Sequence, residues 1–222
     1  MMEISKGVDM LELDFQGNII HPILLWDAEM TILIDTGFPG QLEDLRVAMQ
    51  QVGVSLDQLN VVILTHQDVD HIGSLPDILH QCSQPIKVYA HELDQPYIQG
   101  ELPLLKDSHL QNPPIGKVDH ILIDGQELPF CGGIHVVHTP GHTPGHISLY
   151  LKQSKTLIAG DSMYSINGSI QGIHIPTTPD INTATLSLQK YLDLDIASVV
   201  CYHGGLSTTD VSEQILQLTR KF

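Results

Sequence analysis

Thr65-His66-Gln67-Asp68-Val69-Asp70-His71 decides how this chain reads. It sets two imidazoles and two carboxylates within six positions. Directly before it runs Asn60-Val61-Val62-Ile63-Leu64, a short apolar, β-branched stretch that predicts a buried strand. A polar loop at a strand end turns several side chains towards one point while the sheet holds their backbones still. Imidazole and carboxylate donors at that density suit divalent cations of intermediate hardness. The plainer alternative is a charged surface loop whose aspartates cap a helix.

Three further segments weigh against that alternative. They are Thr139-Pro140-Gly141-His142-Thr143-Pro144-Gly145-His146, Gly160-Asp161 and His203-Gly204-Gly205. Each follows or ends an expected strand and sets His or Asp beside Gly, where the backbone turns tightly. One histidine near a glycine is most often structural. Four such segments in one chain point to a metal centre.

Outward from these segments, strands are expected at residues 9–15, 19–26 and 30–34, broken by Gly17-Asn18 and Asp27-Ala28 turns. Leu42, Leu45, Ala48, Met49 and Val52 recur at a helical period, and Gly53 stops that helix. A short helix at residues 74–80, a strand at 86–89 and a helix at 91–99 follow. Residues 100–117 carry Pro103, Pro113 and Pro114 without a period and read as a long surface loop or lid. The second half predicts strands at 120–123, 134–138, 146–152, 156–159 and 198–202. Asn182 or Thr183 is expected to cap a helix through about Leu192, with Leu186, Leu188, Tyr191 and Leu192 on or near its inner face. A terminal helix is expected from Asp210 to Phe222, with Val211, Ile215 and Leu218 on one face. Strand blocks flanked by helices predict an α/β chain, an αββα sandwich of two mixed sheets with helices on the outer faces, in one domain over residues 1–222. A doubly wound sheet would normally show a Gly-rich phosphate turn after its first strand, and Asp35-Thr36-Gly37 lacks those glycines.

Composition narrows the function. The 26 acidic residues against 10 basic ones give a net charge of −16, a field that repels polyanions, so DNA and RNA are not expected substrates. No apolar run approaches the ~20 residues that span a bilayer. The first 14 residues mix acidic and basic side chains among the apolar ones and do not read as a secretory signal, so a cytoplasmic location is expected. Cys82, Cys131 and Cys201 lie far apart and read as reduced, mostly buried thiols. The expected partner is a small-molecule substrate, with no nucleic acid and no membrane, and with homodimerisation left open.

Over essentially its whole length the chain resembles the metallo-β-lactamase superfamily. That family orders Asp-Thr-Gly, H-x-H-x-D-H, Thr-Pro-Gly-His, Gly-Asp and a late His; here stand Asp35-Thr36-Gly37, His66 to His71, Thr139 to His142, Gly160-Asp161 and His203. The resemblance implies two divalent metal ions, zinc first, with manganese or iron as options. It implies His66, Asp68 and His142 on the first metal, Asp70, His71 and His203 on the second, and Asp161 bridging. Asp35 would orient the site without binding metal, and His138 and His146 would not be ligands. Position 68 departs from the pattern, since most members carry His there. Two divalent ions against Asp68, Asp70, Asp161 and a hydroxide leave a neutral site, where an imidazole in place of the Asp68 carboxylate would leave it positive. A weaker Lewis acid and a somewhat harder metal are therefore expected.

The implied chemistry is hydrolysis of a carbonyl ester, lactone or thioester by metal-bound hydroxide, with Asp70 passing on the proton of the nucleophile. Tyr164, three residues after Asp161, resembles the acyl-homoserine lactonase tyrosine that hydrogen-bonds the carbonyl or oxyanion. Phe38, Met163 and Ile166 are candidates for an apolar wall. Only 19 residues follow His203, short of the helical region of glyoxalase II-type thioesterases. The competing class is a mononuclear iron oxygenase of the persulfide dioxygenase type, with His66, His142 and Asp161 on the iron. A non-enzymatic metal-binding or interaction protein is the third class, disfavoured by the complete ligand set.

Overall fold

The computed structural model describes residues 1–220, which divide into two compact units, Met1–Leu122 and a second from Ile123 onward. In the first unit, β1 (Met2–Ser5), β2 (Val8–Met10), β3 (Leu13–Phe15), β4 (Asn18–Ile20), β5 (Ile23–Trp26) and β6 (Thr31–Ile34) lead into α1 (Leu42–Val52). Then come β7 (Val61–Ile63), the single turn α2 (Val69–Ile72), α3 (Leu75–Gln81), β8 (Lys87–His91), α4 (Gln95–Ile98) and β9 (His120–Leu122). Seven of these strands form one mixed sheet, ordered β1-β2-β5-β6-β7-β8-β9. Pairing is antiparallel up to β6 and parallel from β6 to β9. Ile32, Leu33, Ile34, Val61, Val62 and Ile63 are all buried, so β6 and β7 read as unbroken apolar runs instead of alternating. Helix α1 buries Leu42, Leu45, Ala48 and Met49 and ends at Gly53, whose left-handed φ of 90° lets its N–H return to the helix carbonyls.

The second unit holds β10 (Glu127–Leu128), β11 (Ile134–His138), β12 (Ile147–Leu151), β13 (Thr156–Gly160), the hairpin β14 (Tyr164–Ile166) and β15 (Ser169–Gly172), then α5 (Ile181–Gln189), β16 (Ser198–Cys201), β17 (Gly205–Ser207) and α6 (Val211–Thr219). Its six-stranded sheet runs β10-β11-β12-β13-β16-β17. The pair β13 and β16 is parallel and so needs a crossover, which the segment containing α5 supplies. Along the strands one row of side chains, Val137, Leu157, Ala159, Val199 and Cys201, packs with Ala184, Leu188, Tyr191, Val211, Ile215 and Leu218 from the helical segments. The alternate row, Val136, Leu149, Ile158 and Val200, is also buried.

Several expectations need correction. The strands expected at 9–15 and 19–26 are each split, the second where Pro22 has no N–H to give a ladder. β8 continues to His91, so α4 starts only at Gln95, with Pro96 in its first turn. The cap of α5 is Asp180, whose carboxylate accepts the Thr183 N–H at 2.9 Å, not Asn182 or Thr183. The helix ends at Gln189, short of the expected Leu192, and a 3-10 turn follows over Lys190–Asp193; Leu186 and Leu192 are 63% and 46% exposed, while Leu188 and Tyr191 stay inside. The terminal helix runs Val211–Thr219 with Val211, Ile215 and Leu218 buried; Phe222, its expected end, lies outside the described residues. Cys201 alone of the three thiols is fully buried. No helix among the described residues is long and apolar enough to cross a membrane.

Candidate metal centre

In the first unit, the parallel pair β6 and β7 aligns Ile34 with Ile63, so Asp35 and Thr65 leave adjacent strand ends. Asp35 turns at a φ of 62°, rare outside Gly, Asn and Asp. Its carboxylate accepts the Thr65 N–H and the Thr65 hydroxyl, both at 2.8 Å, and lies 2.8 Å from His71 Nδ1. An ionised carboxylate only accepts, so His71 carries its proton on Nδ1 and leaves Nε2 as a lone pair. The one hydroxyl proton of Thr65 goes to Asp35, so His66 Nδ1, 3.0 Å from that oxygen, must donate to it. Its Nε2 is a lone pair too. His66 Nε2 stands 3.3 Å from Asp68 Oδ2, and His71 Nε2 3.7 Å from Asp70 Oδ2.

The turn α2 gives the polar stretch its shape. Asp68 occupies its N-cap position, yet its side chain makes no capping bond. It turns instead towards His66 and Lys106. This disposes of the helix-capping reading of Asp68. Thr36 holds the turn through its N–H and hydroxyl, which donate to the His71 carbonyl at 2.7 and 2.9 Å. Gly73 lies against the backbone after Gly37, where a Cβ would come within 2.3 Å of Phe38 C and Pro39 N.

In the second unit, Thr178 donates its hydroxyl proton to the His174 carbonyl at 2.9 Å. His142 Nδ1, 3.4 Å from that hydroxyl oxygen, is thus a donor, and Nε2 is left to face Asp161 Oδ2 at 3.3 Å. His203 Nε2 stands 3.4 Å from the same oxygen. The His203 carbonyl accepts the Ser165 N–H, an approach so close that a Cβ on Gly204 would meet the Ser165 carbonyl at 1.9 Å. The fully buried His146 accepts the Asp161 N–H on Nε2 at 2.9 Å. Its own proton therefore sits on Nδ1 and goes to Thr139 Oγ1 at 2.8 Å. His138 Nε2 lies 2.9 Å from the Pro144 carbonyl and so donates to it. Tyr164 is half-buried on β14, edge-on to the His174 ring at 5.5 Å.

These spacings test whether the residues fit a metal. Two donors on one tetrahedral ion, each about 2.0–2.1 Å from it, are about 3.3–3.4 Å apart. The pairs His66–Asp68, His142–Asp161 and His203–Asp161, at 3.3, 3.3 and 3.4 Å, match that edge and exceed the usual N–H···O distance. Three imidazoles, of His66, His71 and His142, have Nδ1 occupied by a hydroxyl or carboxylate, the arrangement that fixes ring orientation for a metal on Nε2. The donor set fits a divalent metal.

The family model of the Metallo-beta-lactamase superfamily matches residues 17–203. The chain belongs to that superfamily. Within it, the probable metallo-hydrolase YflN of Bacillus subtilis (strain 168) is 31% identical over 229 residues, covering 91% of this chain and 85% of its own. The solved metallo-beta-lactamase family protein TTHA1429 from Thermus thermophilus has the same fold, with a TM-score of 0.74 at 21% identity over 99% of this chain and 80% of its own. An atrochrysone carboxyl ACP thioesterase of Claviceps purpurea (strain 20.1) is 25% identical over 176 residues, 79% of this chain but 47% of its own.

The metallo-β-lactamase fold thus accounts for the two mixed sheets and their helices, and for candidate ligands at strand ends. Sequence reasoning missed two neighbours of those ligands. One is Lys106, in the loop after α4, whose ammonium donates to Asp68. The other is the backbone role of His146, signalled only by an imidazole next to Gly145 at the head of an apolar strand. Of the expected apolar wall, Met163 is 1% exposed within the helix–sheet core of its unit and cannot serve, because the residues around Asp161 turn it inward. Phe38 stacks on Phe15 at 4.2 Å, and Ile166 is 52% exposed.

Proposed function

We propose that this chain is a hydrolase of small carbonyl esters, lactones or thioesters that works with two divalent metal ions. By the superfamily's motif order, His66, Asp68 and His142 would hold one ion and Asp70, His71 and His203 the other, with Asp161 shared. Zinc is the first choice, because the donors are imidazole and carboxylate at a tetrahedral spacing. The observation that carries the reading is that spacing, together with histidines whose Nδ1 proton is fixed elsewhere. The probable metallo-hydrolase and the thioesterase among the relatives support the reaction class. Bound there, such ions bring the pKa of water close to neutral and polarise a carbonyl.

The chain's own groups do the rest. Asp70 accepts the proton of the attacking water. Tyr164 donates its hydroxyl to the carbonyl oxygen as it becomes negative. Asp35 and Thr65 hold His66 and His71 in the right tautomer, and His146 holds the backbone of Asp161. The net charge of −16 favours a small substrate over a nucleic acid or an anionic membrane.

Metal analysis of protein purified without added metal, followed by a lactone, thioester and phosphodiester panel on the same sample, tests this. Two zinc ions per chain with carbonyl turnover is the expected result. One iron per chain with sulfur oxidation, or efficient phosphodiester cleavage, overturns it.

A further inference from the structure

Lys106 lies in the proline-containing segment between α4 and β9, 38 residues from Asp68, yet its ammonium donates to Asp68 Oδ2. Both side chains are largely buried, 21% and 10% exposed. Their neighbours in sequence are tied together as well. The Leu105 N–H donates to Gln67 Oε1 at 2.9 Å. The Gln67 N–H and side-chain amide donate to the buried Asp94 carboxylate at 3.0 and 3.3 Å. Leu104, in the same loop, is buried at 2% exposure. Residues next to Lys106 and next to Asp68 are therefore bonded to each other, and the ammonium is delivered by the fold.

Its surroundings are negative. Burial pushes the Asp107 carboxyl up, and the charges of Asp68 and Asp70 push it further, against His109 and Lys106. In a chain with 10 basic residues against 26 acidic ones, a cation seated on a candidate ligand is a specific placement.

We infer that Lys106 is the built-in counter-charge of Asp68, so that the two side chains together take the electrical place of the neutral imidazole found at position 68 in most of the superfamily. The inference rests on the reading of Asp68 as a ligand of the first metal. It changes the charge count made from Asp68 alone, which left the centre neutral. With Lys106 included, the centre regains one positive charge, and the departure at position 68 is compensated from a distant loop.

Two measurements on the full-length protein test this. The first is thermal unfolding of metal-free protein across wild type, Lys106→Met, Asp68→His and the double variant. Lys106→Met is expected to lower Tm by roughly 2–4 °C when Asp68 is present. It should leave Tm unchanged or raise it in the Asp68→His background, where the ammonium has lost its partner. The second is zinc affinity by chelator competition. Removing a positive charge beside a divalent ion should tighten the first site, so Lys106→Met is expected to bind zinc on the order of 10–100-fold more tightly. Lys106→Arg should match wild type in both measurements. Equal Tm effects in the two backgrounds, or zinc binding in Lys106→Met no tighter than wild type, would overturn the inference while leaving the hydrolase reading intact. Wild-type protein that takes up no zinc or other divalent metal would overturn both, whatever the unfolding data show.

Discussion

At the scale of single residues, the candidate centre is built by proton inventory. Thr65, Thr178 and Asp35 are acceptors for one ring nitrogen each, and that alone fixes which nitrogen of His66, His142 and His71 is left for a metal. His142→Ala and His203→Ala are each expected to remove most hydrolysis and part of the bound metal while leaving the far-UV circular dichroism unchanged. Wild-type turnover at wild-type metal content in either variant would refute the ligand assignment. Tyr164→Phe is expected to lower kcat for lactones by roughly tenfold to a hundredfold with little change in KM; an unchanged kcat would leave Tyr164 a packing partner of His174. The candidate ligands stood out in the sequence because His66 to His71 crowd one strand end and His142, Asp161 and His203 each adjoin a glycine at another. Lys106 was not legible, because its loop has no period that says which residue it approaches. His146 was legible as a non-ligand candidate, but its bond to the Asp161 N–H depends on the register of β12 against β13.

At the scale of elements, the apolar runs of β6, β7 and β13 and the stripe of α1 announced themselves, since burial on both faces or on one stripe leaves a pattern in the sequence. The edge strands β1, β10 and β17, two to four residues long, were missed. The hairpin β14–β15 was a different omission. Ile166-Asn167-Gly168-Ser169 is a strong short hairpin signal, and both central residues have positive φ, 50° and 77°. The two strands are polar enough to have read as loop. Gly73→Ala is expected to destabilise by about 1–3 kcal/mol, because a methyl group has backbone atoms against it on the Phe38–Pro39 side. The loss is measurable as a lower urea midpoint with an unchanged m-value. Behind Asp161, burial raises the Tyr191 phenol to about 12, opposed by hydrogen bonds with Ser148, Ser162 and Thr139. A folded pKa above the unfolded value means that the unfolded chain loses its proton first. The Tyr191 contribution is therefore complete below about pH 10 and falls between about pH 10 and 12, by about 1.4 kcal/mol per pH unit. Urea unfolding at pH 9 and pH 11 should show that slope in wild type and a shallower one in Tyr191→Phe.

At the scale of the whole molecule, the fold class and the order of the candidate ligands were readable because the resemblance to the Metallo-beta-lactamase superfamily lies in five separated segments, all present here with one substitution. The substrate was not readable. Loops such as residues 100–117 have side chains that obey no periodicity, so the sequence does not say what they approach. The four candidate imidazoles differ sharply in how far water reaches them. The side chains of His66 and His71 are 0% exposed and that of His142 is 2% exposed, while that of His203 is 42% exposed. A ring open to solvent can swing aside and admit a chelator one donor at a time, whereas a sealed ring comes away only if the loops around it open. Two ions bound as proposed should therefore leave on different clocks. Mixing metal-loaded protein with excess chelator is expected to give a fast phase from the position His203 serves and a slow phase from the other. A single phase releasing both ions together would show that the two positions exchange as one.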